Sequence, residues 1–341
     1  MTSILRRFLA LFLIGVSGSL AAEDARRGEV EYLPPADETN IPEAFRLERH
    51  SFPFEQRPLE TVSKAIRIYE VTFPSPVETP HEANNTVHCE YFCPAGEPND
   101  GQKYPAVVVL HILGGDFELS RLFCRALAHN GVCALFVKMP YYGPRRDPES
   151  SVRMISPEPK QTVQGMTQAV LDIRRAGAWL RAQQEIDGRR LGLFVISLGG
   201  ITGALVATAE PRFHNVFLLL AGGDIGLATW DSKETAGVKE YWESRGGTKE
   251  SLIAALRPID PVSYAANVRG RRIAMINARF DKVIPPACTT ALWKAFGEPE
   301  IEWLECGHYS AARFMFHALG RVTEFFAASE AGGEEAVGIR P

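Results

Sequence analysis

Three side chains whose types together suit acyl transfer occur in the order Ser197, Asp281, His308. A serine hydroxyl alone is a weak nucleophile. It gains reactivity when an imidazole takes its proton and a carboxylate orients that imidazole and stabilises its cation. Each of the three ends its own strand-like run. Ser197 closes the apolar run "LGLFVISLGG", Asp281 lies in "NARFDKVIPP" after "RRIAMI", and His308 lies in "ECGHYS" after "EIEWL". Singly, such residues are usually a helix cap, a turn former and a core or surface histidine. Together, in one order and each at a strand end, they are a far more specific signal. A tight strand-to-helix turn at Ser197 would lift its hydroxyl out of the sheet, with Gly199 and Gly200 easing the bend. The Leu198 N–H would then face an oxyanion formed on the substrate. Glu305 is the rival acid, but it immediately precedes the histidine loop.

The surrounding pattern supplies elements to hold these residues. "KAIRIYEVTF" and "NNTVHCEYFC" read as strands that open a sheet in antiparallel fashion, and "AVVVLHI" as a strand buried on both faces. Leu119, Leu122, Phe123, Ala126 and Leu127 recur at helical spacing and stop at Asn130-Gly131. After the strand "VCALFVKMP", a long amphipathic helix through Val163, Met166, Val170, Ile173, Gly177 and Leu180 is expected to end before a turn at Asp187-Gly188. The strands "RRLGLFVI", "NVFLLLAGG", "RRIAMINAR" and "EIEWLEC" follow, then a helix from Ser310 to Ala328. Alternating strands and helices predict an α/β fold, a mostly parallel central sheet with helices on both faces.

The expected division is an irregular lead-in over 22–60, a domain over 61–330 and a disordered tail over 331–341. Residues 224–270, after the sixth strand so counted, form a small helical insertion carrying Trp230, Tyr241 and Trp242. It is either a packed periphery or a lid that shapes a pocket.

"ISLGG" after a buried strand, preceded by "DIRRAGAWLRAQQEIDGRRLGLF", resembles the α/β-hydrolase superfamily, closest to its dienelactone hydrolase and acetylxylan-esterase-like branches. The resemblance implies a serine hydrolase of carboxylic esters or lactones, with Ser197 as nucleophile, His308 as base and Asp281 as its orienting acid. The family's Gly-x-Ser-x-Gly elbow reads Val195-Ile196-Ser197-Leu198-Gly199 here, and a valine at its first position predicts crowding of the turn. "HILGGD" sits where the family places its first oxyanion loop, which implies donors from Leu113 and Gly114 beside that of Leu198. "MPYYGPRR" would face the same pocket, with His111 and Tyr142 lining it and Arg145 or Arg146 holding a substrate carboxylate; a solvated role for the arginines is the plainer alternative. This chemistry asks for no metal and no organic cofactor. A prolyl-oligopeptidase-type peptidase shares the triad, but the chain lacks length for a propeller. A non-catalytic binding protein on a hydrolase scaffold is the rival motivated by Val195.

Composition sets the outer limits. In 341 residues, 45% hydrophobic content predicts a real core, and a net charge of −4 offers no basic field for nucleic acid. Arg6 and Arg7, the apolar run Phe8 to Val16 and the small residues Ser19-Leu20-Ala21 read as a signal peptide over 1–21, hence an exported protein. The run is about half of the roughly 20 residues a spanning helix needs, so no stable membrane anchor is expected. The expected partner is a small-molecule ester or acylated carbohydrate. Six cysteines permit disulfides without demanding them, and Cys89 and Cys93, four apart on a strand, are too far apart to bridge.

Overall fold

The computed structural model describes residues 25–36, 38–59, 64–96, 102–115 and 117–328. The signal peptide expected over 1–21 and the tail over 331–341 lie outside them. Ten strands form one sheet: β1 (Arg26–Tyr32), β2 (His50–Pro58), β3 (Ile66–Pro74), β4 (Thr86–Pro94), β5 (Tyr104–Leu110), β6 (Cys133–Val137), β7 (Ile186–Ile196), β8 (Asn215–Leu219), β9 (Arg272–Ala278) and β10 (Glu300–Leu304). Their spatial order is β1-β2-β3-β4-β6-β5-β7-β8-β9-β10. Pairing is antiparallel from β1 through β4 to β6 and parallel from β6 to β10.

Two local expectations do not hold. The lead-in is not irregular, because β1 and β2 extend the sheet at its antiparallel edge. Phe52 and Phe54 are buried while Ser51 and Pro53 are exposed, the period of a sheet with one wet face. Prolines and charges on that wet face mask the alternation in the sequence. The insertion therefore follows the eighth strand. Asp187 and Gly188 are not a turn either: the long helix stops at Arg181 and they open β7.

The described residues also form eight helices: α1 (Phe117–His129), α2 (Pro159–Arg181), α3 (Leu198–Ala209), α4 (Ile225–Asp231), α5 (Ala236–Glu243), α6 (Lys249–Leu256), α7 (Pro286–Ala295) and α8 (Met315–Ala327). β6 and β8 are buried along their whole length, as strands covered on both faces must be. The core accordingly lies in two layers, one between the sheet and α2 and α3, the other between the sheet and α1 and α8. Trp179 of α2 anchors the first layer edge-on to Phe54 and Tyr91, with ring centroids 5.9 and 5.2 Å apart. α1 ends as its sequence foretells, with Gly131 at φ 76° and the Val132 N–H donating to the Leu127 carbonyl at 3.0 Å. All six cysteines are buried and free. The C-terminal helix starts later than expected, because Tyr309–Phe314 forms a 3-10 turn before α8.

Candidate active site

In an open parallel sheet, ligands bind at the carboxyl ends of strands where the order reverses, since loops diverge there and leave a crevice. Here β5 is flanked by β6 on one side and β7 on the other, so the crevice opens between the ends of β5 and β7. Ser197 stands at that point, between β7 and α3, with φ 56° and ψ −114°. Positive φ strains a residue with a Cβ, and the neighbours hold it there. The Ser197 N–H donates to the Leu219 carbonyl at 3.0 Å, and its own carbonyl accepts from the Ile201 N–H at 3.0 Å. A Cβ on Gly199 would lie 2.8 Å from the His111 carbonyl oxygen, so only glycine lets the β5 loop approach the turn this closely. Leu198 is the first residue of α3, and its N–H has no acceptor within the helix.

Val195 does not crowd the turn. Its side chain is fully buried and points at Gly203, two turns into α3, where an added Cβ would lie 2.4 Å from Val195 Cγ1. The space that a glycine at the first elbow position would provide is provided from the helix instead. A glycine inside an apolar helix, in "GGITGAL", was the signal for this pairing.

β8, β9 and β10 lie side by side in chain order next to β7, which brings the loops after β9 and β10 to Ser197. Those two loops are laced together past the strands: the Arg279 and Phe280 N–H groups donate to the Leu304 and Cys306 carbonyls, each at 2.9 Å. His308 Nε2 is 2.8 Å from Ser197 Oγ, and His308 Nδ1 is 2.7 Å from Asp281 Oδ2. The other carboxylate oxygen of Asp281 accepts from the Val283 and Ile284 N–H groups, both at 2.8 Å, which fixes the carboxylate's orientation. Ser197, Asp281 and His308 are thus brought together in the sequential contact a nucleophile, a base and its orienting acid require. Glu305 turns away to Arg279, 2.6 Å distant, and stays exposed.

Residues of the other two loops divide. Leu113 and Gly114 line a cavity together with Ser197 and His308, on a turn that needs Gly114 at φ 88° and Gly115 at φ 74°. Two of the four expected pocket residues are buried elsewhere. His111 is fully buried behind the loop: its Nδ1–H donates to the Ile112 carbonyl at 2.9 Å and its Nε2 accepts from the Met139 N–H at 3.1 Å. Burial pushes the imidazole down to about 4, helped by the nearby cations of Arg145 and Lys138. Arg145 is neither solvated nor in the pocket. It is fully buried, 2.8 Å from Asp172 on α2, and donates to the Lys138 and Asn84 carbonyls. Burial raises the Asp172 carboxyl, with Arg145 opposing the shift. Tyr142 packs edge-on to His111 and, with exposed Arg146, lines a neighbouring pocket that shares Leu113 and Gly114 with the serine cavity, though its walls include neither Ser197 nor His308. His111 and Arg145 therefore lie out of a substrate's reach.

Ser197 opens onto two cavities, with empty space of about 740 and 1090 Å³ including their mouths. Residues of the 224–270 insertion, among them Ile225, Ala228 and Val238, wall the first, so the insertion shapes a pocket. Glu234 of the insertion reaches across and accepts a hydrogen bond from Tyr309, the residue after His308, at 2.5 Å. That acceptance also holds the Tyr309 phenol above its usual range. Neither residue carries a local sequence signal, since the contact joins two loops distant in the chain.

The fold and the Ser–His–Asp constellation at the β5/β7 crevice define an α/β hydrolase. Residues 56–226, half of the chain, match the family model "Alpha/beta hydrolase domain containing 18", and the chain belongs to that family. An uncharacterized protein of Mycobacterium tuberculosis is 31% identical over 176 residues, 50% of this chain and 40% of the relative, so the match spans less than half the length of that relative. Among solved structures, an acetyl xylan esterase from Paenibacillus sp. R4 aligns with a TM-score of 0.64 and 19% identity over 80% of this chain and 88% of its own. A putative dienelactone hydrolase from Klebsiella pneumoniae aligns with a TM-score of 0.53 and 19% identity over 77% of this chain and 99% of its own. At these identities the likeness establishes the fold.

Proposed function

We propose that the protein hydrolyses carboxylic esters through an acyl-enzyme on Ser197. The observation that carries this reading is the continuous hydrogen-bonded chain from Ser197 Oγ through His308 to Asp281, anchored at its far end by two backbone N–H groups. In this scheme Ser197 Oγ attacks the ester carbonyl as its proton passes to His308 Nε2. The tetrahedral oxyanion is held by the Leu198 N–H and by N–H groups of the Leu113–Gly114 turn; one such donor is worth about 3 to 4 kcal/mol of transition-state stabilisation. Collapse breaks the bond to the alcohol oxygen, which takes the proton from His308. Water, deprotonated by the same base, then attacks the acyl-serine and releases the acid. Asp281 keeps the Nδ1–H tautomer and offsets the imidazolium charge. The apolar run near the N-terminus supports a protein that works outside the cytoplasm on a small-molecule ester, and the acetyl xylan esterase among the structural neighbours keeps an acylated sugar among the candidates.

The test is hydrolysis of p-nitrophenyl acetate together with labelling by a fluorophosphonate, in wild type and Ser197→Ala. Both signals are expected in the wild type and neither in the variant. A folded wild type that neither turns over ester nor takes the label overturns the proposal.

A further inference from the structure

We infer that the natural substrate is an ester with hydrocarbon on both sides of the scissile bond, its acyl chain lying under the 224–270 insertion and its alcohol chain between the sheet end and the start of α8. This deepens the serine-hydrolase reading and rests on it. Ser197, Leu113, Glu234 and Val283 border both cavities, so a carbonyl at Ser197 has one cavity on each side. Which arm goes where follows from the proton. His308 must reach the departing oxygen, and His308 lines the second cavity and not the first. The alcohol therefore leaves through the second cavity, and the acyl chain occupies the first.

Both walls are mainly hydrocarbon. Met166, Ile201, Ile225, Val238 and Ile284 face the acyl arm; Leu219, Leu220, Leu304, Met315 and Ala318 face the alcohol arm. Several of the wall hydroxyls are engaged with the protein. Thr235 Oγ1 donates to the Thr229 carbonyl at 2.7 Å, Ser232 Oγ accepts from the Glu234 N–H at 3.3 Å, and Thr162 Oγ1 is tied to Ser156. The Tyr309 hydroxyl donates its hydrogen bond to Glu234. A sugar in either arm would bury most of its hydroxyls against hydrocarbon, with few polar groups, chiefly the Glu234 carboxylate, to answer them, whereas each methylene buried there gains binding.

The experiment measures kcat/KM of the full protein, followed by acid release, on ethyl acetate, ethyl hexanoate, hexyl acetate, hexyl hexanoate and mono-O-acetylated xylobiose, whose other hydroxyls are free. Each methylene fully buried is worth about 0.8 kcal/mol, or roughly fourfold, so lengthening either arm by four carbons should raise kcat/KM at least tenfold. Thr229→Trp, at a half-buried position of the first cavity, should erase the hexanoate-to-acetate ratio and keep the hexyl-to-ethyl ratio. Ala312→Trp, at an exposed position of the second, should do the reverse. A flat response to either arm, a preference for the acetylated sugar, or the two tryptophans exchanging effects overturns the inference. If fluorophosphonate labelling and p-nitrophenyl acetate turnover persist in that case, serine hydrolysis stands without it. Loss of both in the wild type overturns the two together.

Discussion

Adding a single methyl group at Gly203 tests how this chain builds a working elbow without its first glycine. The new Cβ would lie 2.4, 2.8 and 2.9 Å from Val195 Cγ1, Cγ2 and Cβ, well inside the roughly 3.5 to 4.0 Å of a relaxed carbon contact. Val195 is fully buried and is part of β7, so relief requires the strand or α3 to move. Overpacking of this kind costs about 1 to 3 kcal/mol, offset by about 1 kcal/mol for alanine over glycine inside a helix. Gly203→Ala alone is therefore expected to destabilise by up to about 2 kcal/mol. In a Val195→Gly background the clash is gone and only the helix gain remains, so the same substitution should stabilise by about 1 kcal/mol. The change of sign is the readout: urea unfolding of the four proteins in a double-mutant cycle should give a coupling energy of about 1 to 3 kcal/mol. The strand shift would also displace Ser197, so ester turnover should fall in Gly203→Ala and recover partly in the double variant. Equal effects of Gly203→Ala in the two backgrounds would refute the compensation argument.

Arg145 and Arg146, adjacent in the chain, should behave oppositely: Arg145→Met strands the buried Asp172 carboxylate and should cost about 3 to 5 kcal/mol in urea unfolding, whereas Arg146→Met at an exposed site should stay within about 0.5 kcal/mol. A similar cost for both would mean the Asp172 pair is not what stabilises this corner. His111 makes stability depend on pH. Its imidazole falls from 6.5 to about 4 in the folded protein, so between those values the unfolded chain binds more protons and acidification favours unfolding. His111 contributes fully above pH 6.5 and loses that contribution as pH drops toward 4, at up to about 1.4 kcal/mol per pH unit. His111→Gln should flatten unfolding free energy against pH in this window; an unchanged slope would contradict the neutral, buried imidazole.

The parallel half of the sheet was legible because its strands are continuous apolar runs and its helices repeat at 3 and 4 residues, patterns that burial itself imposes. β1 and β2 were not, since strands with one wet face carry charges there, and the first half of β2, paired only with β1, tolerates a proline that elsewhere marks a loop. The site divides along the same line. Ser197, Asp281 and His308, which meet in the structure, stand out in the sequence because each follows a strand, a local property. His111 and Arg145 were misplaced because a loop's sequence gives its position along the chain and not the direction its side chains take. Glu234 and Tyr309 were missed because they meet only through the packing of the insertion over the histidine loop.

By itself, then, the chain's sequence determines an alternating α/β order and three chemically matched residues at strand ends, because hydrophobic periodicity and turn chemistry are written into neighbouring residues. Only the tertiary structure decides that β8, β9 and β10 stack in order beside β7 and close the Ser197–His308–Asp281 contacts. It alone decides that Gly203 makes room for Val195, that Arg145 is spent on Asp172, and that two apolar cavities meet at the serine. Periodicity reports that a segment is buried; what it is buried against depends on groups a hundred residues away.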